Sequence, residues 1–443
     1  MKVAVFGAGY VGLSTAVVLA KKHSVTLIEI DETKIDLINN GTSPIAEKGL
    51  EPLLRDALER NSIKAVGLDE PLGSQDAVLI CVNTPSGDDG SVNLEAVESV
   101  MSSIESRIDS LLDEYLLVAM RSTVPPGTTR FTVIERLSKN ADTKKLGFIF
   151  QPEFLRQGFA IHDLLNPDRV IIGASDDDAY SKYEELTIQC LDKQDTKVLK
   201  MSIESAEMCK YASNSFLATK ISFISELSSL AERIPHVNID DVVLGMIQDH
   251  RISPSHLKPG LGYGGSCLPK DVSGLFTFGA SKGVEMPLLK AVHFVNKQTT
   301  DRLLRLVDSL SLRGKKVAIL GVAFKADTDD TRDSPSLPLI RRLSAEGAKV
   351  HAHDPLVNLE QTKNQLGLDF EIVYDISECT RDAFVTFIMT DWSVYKELGL
   401  NSIASNMSQK LVVDGRRMFV DIDVPDGIVY LPLGSYPEQR VIS

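Results

Sequence analysis

Basic residues are in deficit. Lys and Arg number 47 against 61 Asp and Glu, a formal net charge of −14 over 443 residues. A general nucleic-acid or anionic-membrane surface therefore has no electrostatic support, and any anionic ligand must be held by local cations. Cysteine is also scarce: Cys81, Cys190, Cys209, Cys267 and Cys379 are scattered, odd in number and without CxxC spacing, which argues against a disulfide framework and a zinc site. The eight histidines form no ligand cluster, and His351 and His353 read as alternating positions on a strand; no metal is expected. Nowhere does the chain reach about 18 uninterrupted apolar residues, so no membrane span is expected. Short repeats and low-complexity tracts are missing too. These absences fit a protein of the reducing cytoplasm.

What is present is an ordinary globular composition, 43% hydrophobic and 24% charged, long enough for about three domains at roughly 150 residues each. The apolar start MKVAVFGAGYVGLSTAVVLA is broken by three glycines and lacks a cleavage region, so it reads as strand, turn and helix rather than a signal peptide. Strand-like runs at Lys2 to Phe6, Ser24 to Ile30, Ala77 to Val82, Leu116 to Ser122, Gly147 to Phe150 and Val170 to Ile172 alternate with helical patterns. That alternation predicts a parallel sheet covered by helices. From about Met201 to Ile234 the chain has no Gly or Pro, then meets Pro235, which predicts one long helix spanning on the order of 50 Å. A second βαβ pattern begins at Lys315 (KKVAILG, SPSLPLIRRLSAEG, KVHAHDP), followed by strands near Phe384 to Met389 and Lys410 to Asp414.

The expected fold class is therefore α/β, with two Rossmann-like doubly wound domains joined by a long central helix and a helical dimerisation segment. The expected boundaries are 1–198, 199–296 and 297–443. The two flanking α/β domains look like a coarse duplication.

Gly7, Gly9 and Gly12 form GxGxxG directly after the first strand and open a helix, the context in which this pattern holds a dinucleotide pyrophosphate. Glu29 ends the second strand, where a carboxylate accepts ribose hydroxyls and repels a 2′-phosphate, so NAD is expected over NADP. Lys34 is a secondary contact. The segment PGLGYGGSCLPKD, residues 259–271, places four glycines before Cys267 and a proline at the start of a helix. A thiol at a helix N-terminus has its thiolate stabilised, as a nucleophile needs. Helical i,i+4 spacing relates Cys267 to Asp271, Lys210 to Asn214, and Glu153 to position 157.

GAGYVGL, VNTP, STVPPGT, PEFLRQG, KYASNSFLATKISF, GYGGSCLPKD and GVAFKADTDDTRDSPS occur in this order. On these motifs the chain resembles the UDP-glucose/GDP-mannose dehydrogenase family along nearly its whole length. The resemblance implies oxidation of the C6 primary alcohol of a nucleotide sugar to a carboxylate, reducing two NAD per sugar, with Cys267 as the nucleophile that passes through a thiohemiacetal and a thioester. By the same resemblance Lys210 stabilises the oxyanion, Asn214 orients the sugar, Asp271 assists proton transfer and with Thr123 places the hydrolytic water, and Glu153 acts in thioester hydrolysis. Tyr10, Val11, Thr84, Pro85 and Arg332 join the cofactor shell. Phe154, Leu155, Arg156, Lys258, Tyr263, Gly264, Phe324, Lys325 and Arg416 are the implied substrate contacts, and Arg251 reaches the diphosphate from the second subunit of a homodimer.

One position departs from the pattern. Gln157 stands where the family carries a second Glu, and an amide cannot exchange a proton near neutral pH; a cofactor contact there is the expectation that survives. KYASNSFLATKISF and NPDRVIIG favour UDP-glucose as substrate, whereas IQDHRI before SCLPKD leans toward GDP-mannose. A hydroxyacid dehydrogenase of related fold needs no thiol, and a non-catalytic nucleotide-sugar or NAD binding protein is the remaining alternative.

Overall fold

The computed structural model describes residues 1–436 apart from 88, 194, 308 and 309, and it divides into two compact units, Met1–Ser213 and Asn214–Ser443. The boundary falls inside one helix, Ile203–Ala231, of 29 residues. That helix is shorter at each end than the Gly- and Pro-free stretch that predicts it.

In the first unit eight strands form one sheet: β1 (Lys2–Phe6), β2 (Ser24–Ile28), β3 (Ile63–Val66), β4 (Ala77–Ile80), β5 (Leu116–Met120), β6 (Leu146–Phe150), β7 (Arg169–Ala174) and β8 (Lys197–Met201). Their spatial order is β3-β2-β1-β4-β5-β6-β7-β8. Alternation along each strand feeds two cores. Val3, Val5, Leu27 and Leu79 join one cluster, while Ala4, Phe6, Ile28 and Ile80 join the other. Both faces are buried, which is why these strands read as continuous apolar runs rather than alternating ones. The order in which strands join the sheet reverses between β1 and β4, and ligands of open α/β sheets bind at such a switch point, outside the carboxyl ends of the strands.

The sheet is not wholly parallel, a correction to the sequence expectation. β6 and β7 pair antiparallel through Ile149 with Ala174 and Phe150 with Gly173. The segment between them holds only a short helix, Ala160–Leu165, and never crosses back over the sheet. PEFLRQG therefore stays at the carboxyl end of β6, the end at which the switch point lies.

The second unit carries β9 (Lys316–Leu320), β10 (Lys349–His353), β11 (Glu371–Ile372), β12 (Val385–Ile388), β13 (Leu411–Asp414) and β14 (Val429–Pro432). All pair in parallel, in the order β11-β10-β9-β12-β13-β14, around a core that includes Ile319, Leu320, Phe387 and Val413. Between the long helix and β9 lie the helices Ile239–Ile247, Leu268–Ser281, Pro287–Lys297 and Thr299–Arg305.

The two sheets repeat one local design. After β1, Gly7 (φ 98°) donates its N–H to Ile28 O at 2.8 Å; after β9, Gly321 (φ 100°) donates to His353 O at 2.8 Å. Cys81 N binds Phe6 O at 2.9 Å, and Met389 N binds Leu320 O at 2.8 Å. Positive φ selects glycine at both turns. Among the described residues no helix is long and apolar enough to cross a membrane, and none of the five cysteines forms a disulfide.

Candidate active site

The dinucleotide turn is built from two kinds of glycine. A Cβ on Gly12 would lie 1.8 Å from Gly7 O, so close packing of turn and helix dictates that residue. A Cβ on Gly9 would meet only Asn83 Oδ1, at 3.9 Å, and Gly9 has ordinary extended backbone, φ −82° and ψ −168°. Among the described residues no protein atom requires glycine there, and the open space leaves room for the close approach of a ligand. Gly9 caps the Tyr10–Leu19 helix without a side-chain bond, leaving its first N–H groups and the positive end of its dipole for a pyrophosphate. The residues present thus fit NAD. Gly12→Ala is expected to destabilise the fold by at least ~2 kcal/mol, whereas Gly9→Ala keeps the unfolding midpoint and raises the KM for NAD; denaturant melts beside cofactor titrations check the pair.

Glu29 is buried at the end of β2. Its Oε2 accepts Ala8 N at 2.9 Å, and its Oε1 accepts Ile30 N at 2.8 Å and Asp31 N at 3.2 Å. The carboxylate that would read ribose hydroxyls also ties the glycine turn to β2. Lys34 lies half-buried on the next helix, Glu32–Asn39, which Asp31 caps through Thr33 N and Lys34 N. At the ends of β4 and β5, the Thr84 hydroxyl donates to Thr123 O at 2.8 Å, joining two of the predicted positions. Pro85 follows, its carbonyl accepting Asn93 N at 2.8 Å.

Glu153 and Lys210 form a buried ion pair, with side chains 7% and 4% exposed. Lys210 Nζ donates to Glu153 Oε1 at 2.9 Å and to Glu153 O at 2.5 Å, and Leu155 N donates to Glu153 Oε2 at 2.7 Å. Burial pushes the Glu153 carboxyl up, but the Lys210 charge and hydrogen bond, the Leu155 N–H and the Arg121 charge outweigh it, so the group titrates below the usual carboxylate range. Phe154 lies under two cations, with Arg169 Cζ 4.2 Å and Lys210 Nζ 5.3 Å from its ring centroid. Arg156 is exposed and pairs with Asp163 at 2.6 Å. The expected helical relation between Glu153 and Gln157 does not occur. Residues 151–156 form irregular loop after Pro152, and Gly158 turns the chain with φ 85°.

In the second unit Cys267 is exposed and caps the Leu268–Ser281 helix, with Pro269 in its first turn. The helix dipole and free N–H groups favour negative charge on the sulfur. Asp271, one turn on, is 1% exposed; its N–H donates to Cys267 O at 2.8 Å, and its carboxylate accepts Asn214 Nδ2 and Lys270 Nζ, each at 2.6 Å. So of the i,i+4 pairs, the thiol is open to solvent while its partner carboxylate is enclosed.

The glycines ahead of Cys267 are pressed by the loop after β9. A Cβ on Gly264 would lie 2.4 Å from Asp333 O, one on Gly265 would lie 2.7 Å from the Phe324 ring, and Gly265 N donates to Arg332 O at 2.8 Å. Tyr263 is buried, its backbone held by Asn296 through Tyr263 N and Tyr263 O, each at 2.8 Å. Arg416 Nη2 donates to Phe324 O at 2.5 Å and its Nε to Met389 O at 2.7 Å, while Lys258 and Arg416 line one cavity of about 170 Å³ with Gly260, Gly262 and Asp391. Lys325 is half-buried, and Arg332 pairs with Asp330 at 2.6 Å. Arg251 stands apart: it is exposed, and among the described residues its ion pair is with Asp249 in its own turn. A larger cavity, about 690 Å³ beside β14, is lined by none of the predicted site residues, so volume does not locate the chemistry here.

Three residues escape the sequence reading. Glu207, fully buried, accepts Gly127 N at 2.5 Å and Thr129 N at 2.8 Å, and burial raises its carboxyl. It fixes the turn that follows Thr123. Glu47 accepts Gly158 N at 2.8 Å and Ala160 N at 2.9 Å, holding PEFLRQG from a distant loop. Arg121, buried at the end of β5, donates to Thr15 Oγ1 at 3.1 Å. A charge three residues before Lys210 on a helix was a usable signal for Glu207, since i,i+3 positions share a face; nothing in the spacing of Glu47 or Arg121 marks them.

Models of the UDP-glucose/GDP-mannose dehydrogenase family match the chain in three consecutive stretches: the NAD binding domain at residues 1–207, the central domain at 204–298 and the UDP binding domain at 318–421. The UDP-glucose 6-dehydrogenase YwqF of Bacillus subtilis is 36% identical over 444 residues, covering 98% of each chain. The solved UDP-glucose dehydrogenase from Pyrobaculum islandicum superposes with a TM-score of 0.88 at 34% identity over 98% of each chain. A GDP-mannose dehydrogenase from Pseudomonas aeruginosa, solved as a ternary complex, gives 0.53 at 30% identity, covering 98% of this chain and 100% of its own. The chain belongs to the UDP-glucose/GDP-mannose dehydrogenase family and is an NAD-dependent nucleotide-sugar dehydrogenase.

Proposed function

We propose that this enzyme oxidises the C6 primary alcohol of UDP-glucose to the carboxylate, giving UDP-glucuronate, through covalent intermediates on Cys267. The observation that carries the reading is the exposed thiol at the start of the Leu268–Ser281 helix, one turn from the enclosed Asp271. The relatives named UDP-glucose 6-dehydrogenase favour UDP-glucose over GDP-mannose.

Gly7, Gly9, Tyr10, Val11, Gly12, Glu29, Lys34, Thr84, Pro85, Thr123, Gln157 and Arg332 would hold NAD, which when bound accepts the hydride of each of two oxidations. The first oxidation leaves an aldehyde at C6. Cys267 sulfur adds to that carbonyl carbon, forming a C–S bond and a thiohemiacetal, and Lys210 stabilises the oxyanion that develops. The second oxidation turns the adduct into a thioester. Water, activated through Glu153 and held by Asp271 and Thr123, adds to the acyl carbon; the C–S bond breaks, releasing the acid and returning the thiol. Asn214 orients the sugar. Phe154, Leu155, Arg156, Lys258, Tyr263, Gly264, Phe324, Lys325 and Arg416 bind the nucleotide sugar, supplying the local cations that a net charge of −14 does not.

The division of labour runs over 1–198 for NAD, 199–296 for dimerisation and the thiol loop, and 297–443 for the nucleotide. A homodimer is supported by Phe216, Phe223 and Leu230, which are 66%, 47% and 56% exposed at seven-residue spacing on one face of the long helix; Arg251 would then serve the second subunit's diphosphate. Cysteines held in no disulfide fit the cytoplasm as its compartment.

Purified enzyme given NAD with UDP-glucose or with GDP-mannose, with NADH counted against sugar consumed, tests the reading. Two NADH per UDP-glucose is the expected result. Two per GDP-mannose keeps the mechanism and overturns the substrate, one per sugar means that the aldehyde escapes, and none with either sugar overturns both substrates and turns the search to another nucleotide sugar, then to a non-catalytic binding protein.

A further inference from the structure

The repeated turn after β1 and β9 has two different outcomes. In the first sheet Ala8 N donates to Glu29 Oε2 at 2.9 Å; in the second, the equivalent Val322 N donates to Asp354 Oδ2 at 2.7 Å. Glu29 and Asp354 each follow the second strand of their βαβ unit directly. Beyond that point they diverge. Asp354 Oδ2 also accepts Ala323 N at 3.0 Å and Trp392 Nε1 at 3.3 Å, and Oδ1 accepts Leu356 N at 3.0 Å and Val357 N at 3.1 Å. Five donors surround this buried carboxylate. Two oxygens offer about four lone-pair sites, so Asp354 has none left for a ribose hydroxyl.

The first glycine is kept as Gly321, but the other two glycines of the first turn are lost. Gly9 and Gly12 correspond to Ala323 and Ala326, and no helix begins until Ser336, where the first turn opens one at Tyr10. The second turn therefore offers neither the close backbone approach nor the helix N-terminus that a pyrophosphate takes in the first. Instead, Ala323 is gripped from both sides, its N–H by Asp354 and its carbonyl by the Thr390 hydroxyl at 2.6 Å. The next residue, Phe324, presses its ring on Gly265, two residues before Cys267, and gives its carbonyl to Arg416.

We infer that Asp354 is a positioning residue for nucleotide-sugar binding: it fixes the Val322–Ala323 backbone so that Phe324 and Lys325 are presented to substrate and Phe324 seats the loop leading to Cys267. The place that reads a ribose in the first sheet is a clasp in the second. This rests on the proposed assignment of Phe324, Lys325 and Arg416 to the substrate.

The test uses the full-length enzyme carrying Asp354→Asn, whose amide turns an N–H₂ toward backbone donors. UDP affinity by titration calorimetry and the KM for UDP-glucose are expected to weaken about tenfold, the size of one lost buried hydrogen bond, while the KM for NAD stays within about twofold. A merely structural role would lower the fraction of active enzyme and leave both affinities unchanged, and that result overturns the inference. Thr390→Val, which removes only the bond to Ala323 O, is the milder probe and decides the matter if Asp354→Asn does not fold: unchanged UDP affinity there overturns the inference, and weaker UDP binding with unchanged NAD supports it. Wild-type enzyme that binds UDP yet oxidises no nucleotide sugar would sink the proposed reaction, and the UDP titrations would still judge Asp354.

Discussion

Cys267→Ser is expected to abolish steady formation of the acid, lowering kcat at least about a thousand-fold, in the range seen when a covalent nucleophile is removed. Serine keeps the size and the place at the helix N-terminus. It lacks the acidity: a hydroxyl there is not ionised near neutral pH, so the aldehyde has no captor and the second oxidation no adduct. The variant should still bind UDP-glucose and NAD with affinities near wild type, because the glycine loop, Tyr263 and Arg416 are untouched. Single-turnover NADH formation with product analysis checks both halves. Steady two-NADH turnover by this variant would refute the covalent route.

Lys210→Met carries the second large effect. Loss of a preorganised oxyanion donor costs on the order of 10²- to 10³-fold in kcat, and breaking a buried pair by removing one partner costs a further ~3–5 kcal/mol in stability. The two losses separate by measurement, kcat on folded enzyme against a denaturant melt. A pH signature goes with them. In wild type, burial raises the Glu153 carboxyl, but Lys210 and the other partners hold it below its ordinary value; the folded value thus lies below the unfolded one, and the stability it lends is present near neutrality and lost as pH falls through the folded value. Without Lys210 the main opposing influence is gone and burial prevails. The acid limb of activity should move to higher pH, and a limb that does not move would show that Glu153 is not the titrating group.

Much of the fold was legible. Strands buried on both faces announce themselves as apolar runs, and β1, β4, β5 and β6 fall where such runs stand. The missed strands share a reason: β3, β8, β11 and β14 include the four edges of the two sheets, and edge strands bury less and alternate more. Lys197–Met201 shows half-buried and exposed residues throughout, and β11 has two residues. The antiparallel joint between β6 and β7 was invisible because direction is decided by where a connection travels, and no local residue records that. At the site, spacing found the residue types but paired them within elements. Folding instead pairs Glu153 with Lys210 and Asn214 with Asp271 across long stretches of sequence. The supporting carboxylate of Glu47 acts on backbone N–H groups, which carry no residue-type signal at all.

Cofactor choice in this enzyme is bound up with the integrity of its first turn. Exchanging NAD for NADP in such folds starts by discarding the acid at the end of the second strand, since that acid repels the extra phosphate. Here Glu29, the carboxylate proposed to read the ribose, also anchors Ala8, Ile30 and Asp31. A single substitution at Glu29 would therefore loosen the cradle before any new phosphate could profit from it. Adaptation to NADP has to pass through a poorer binder of both cofactors unless another residue first takes over the hold on Ala8.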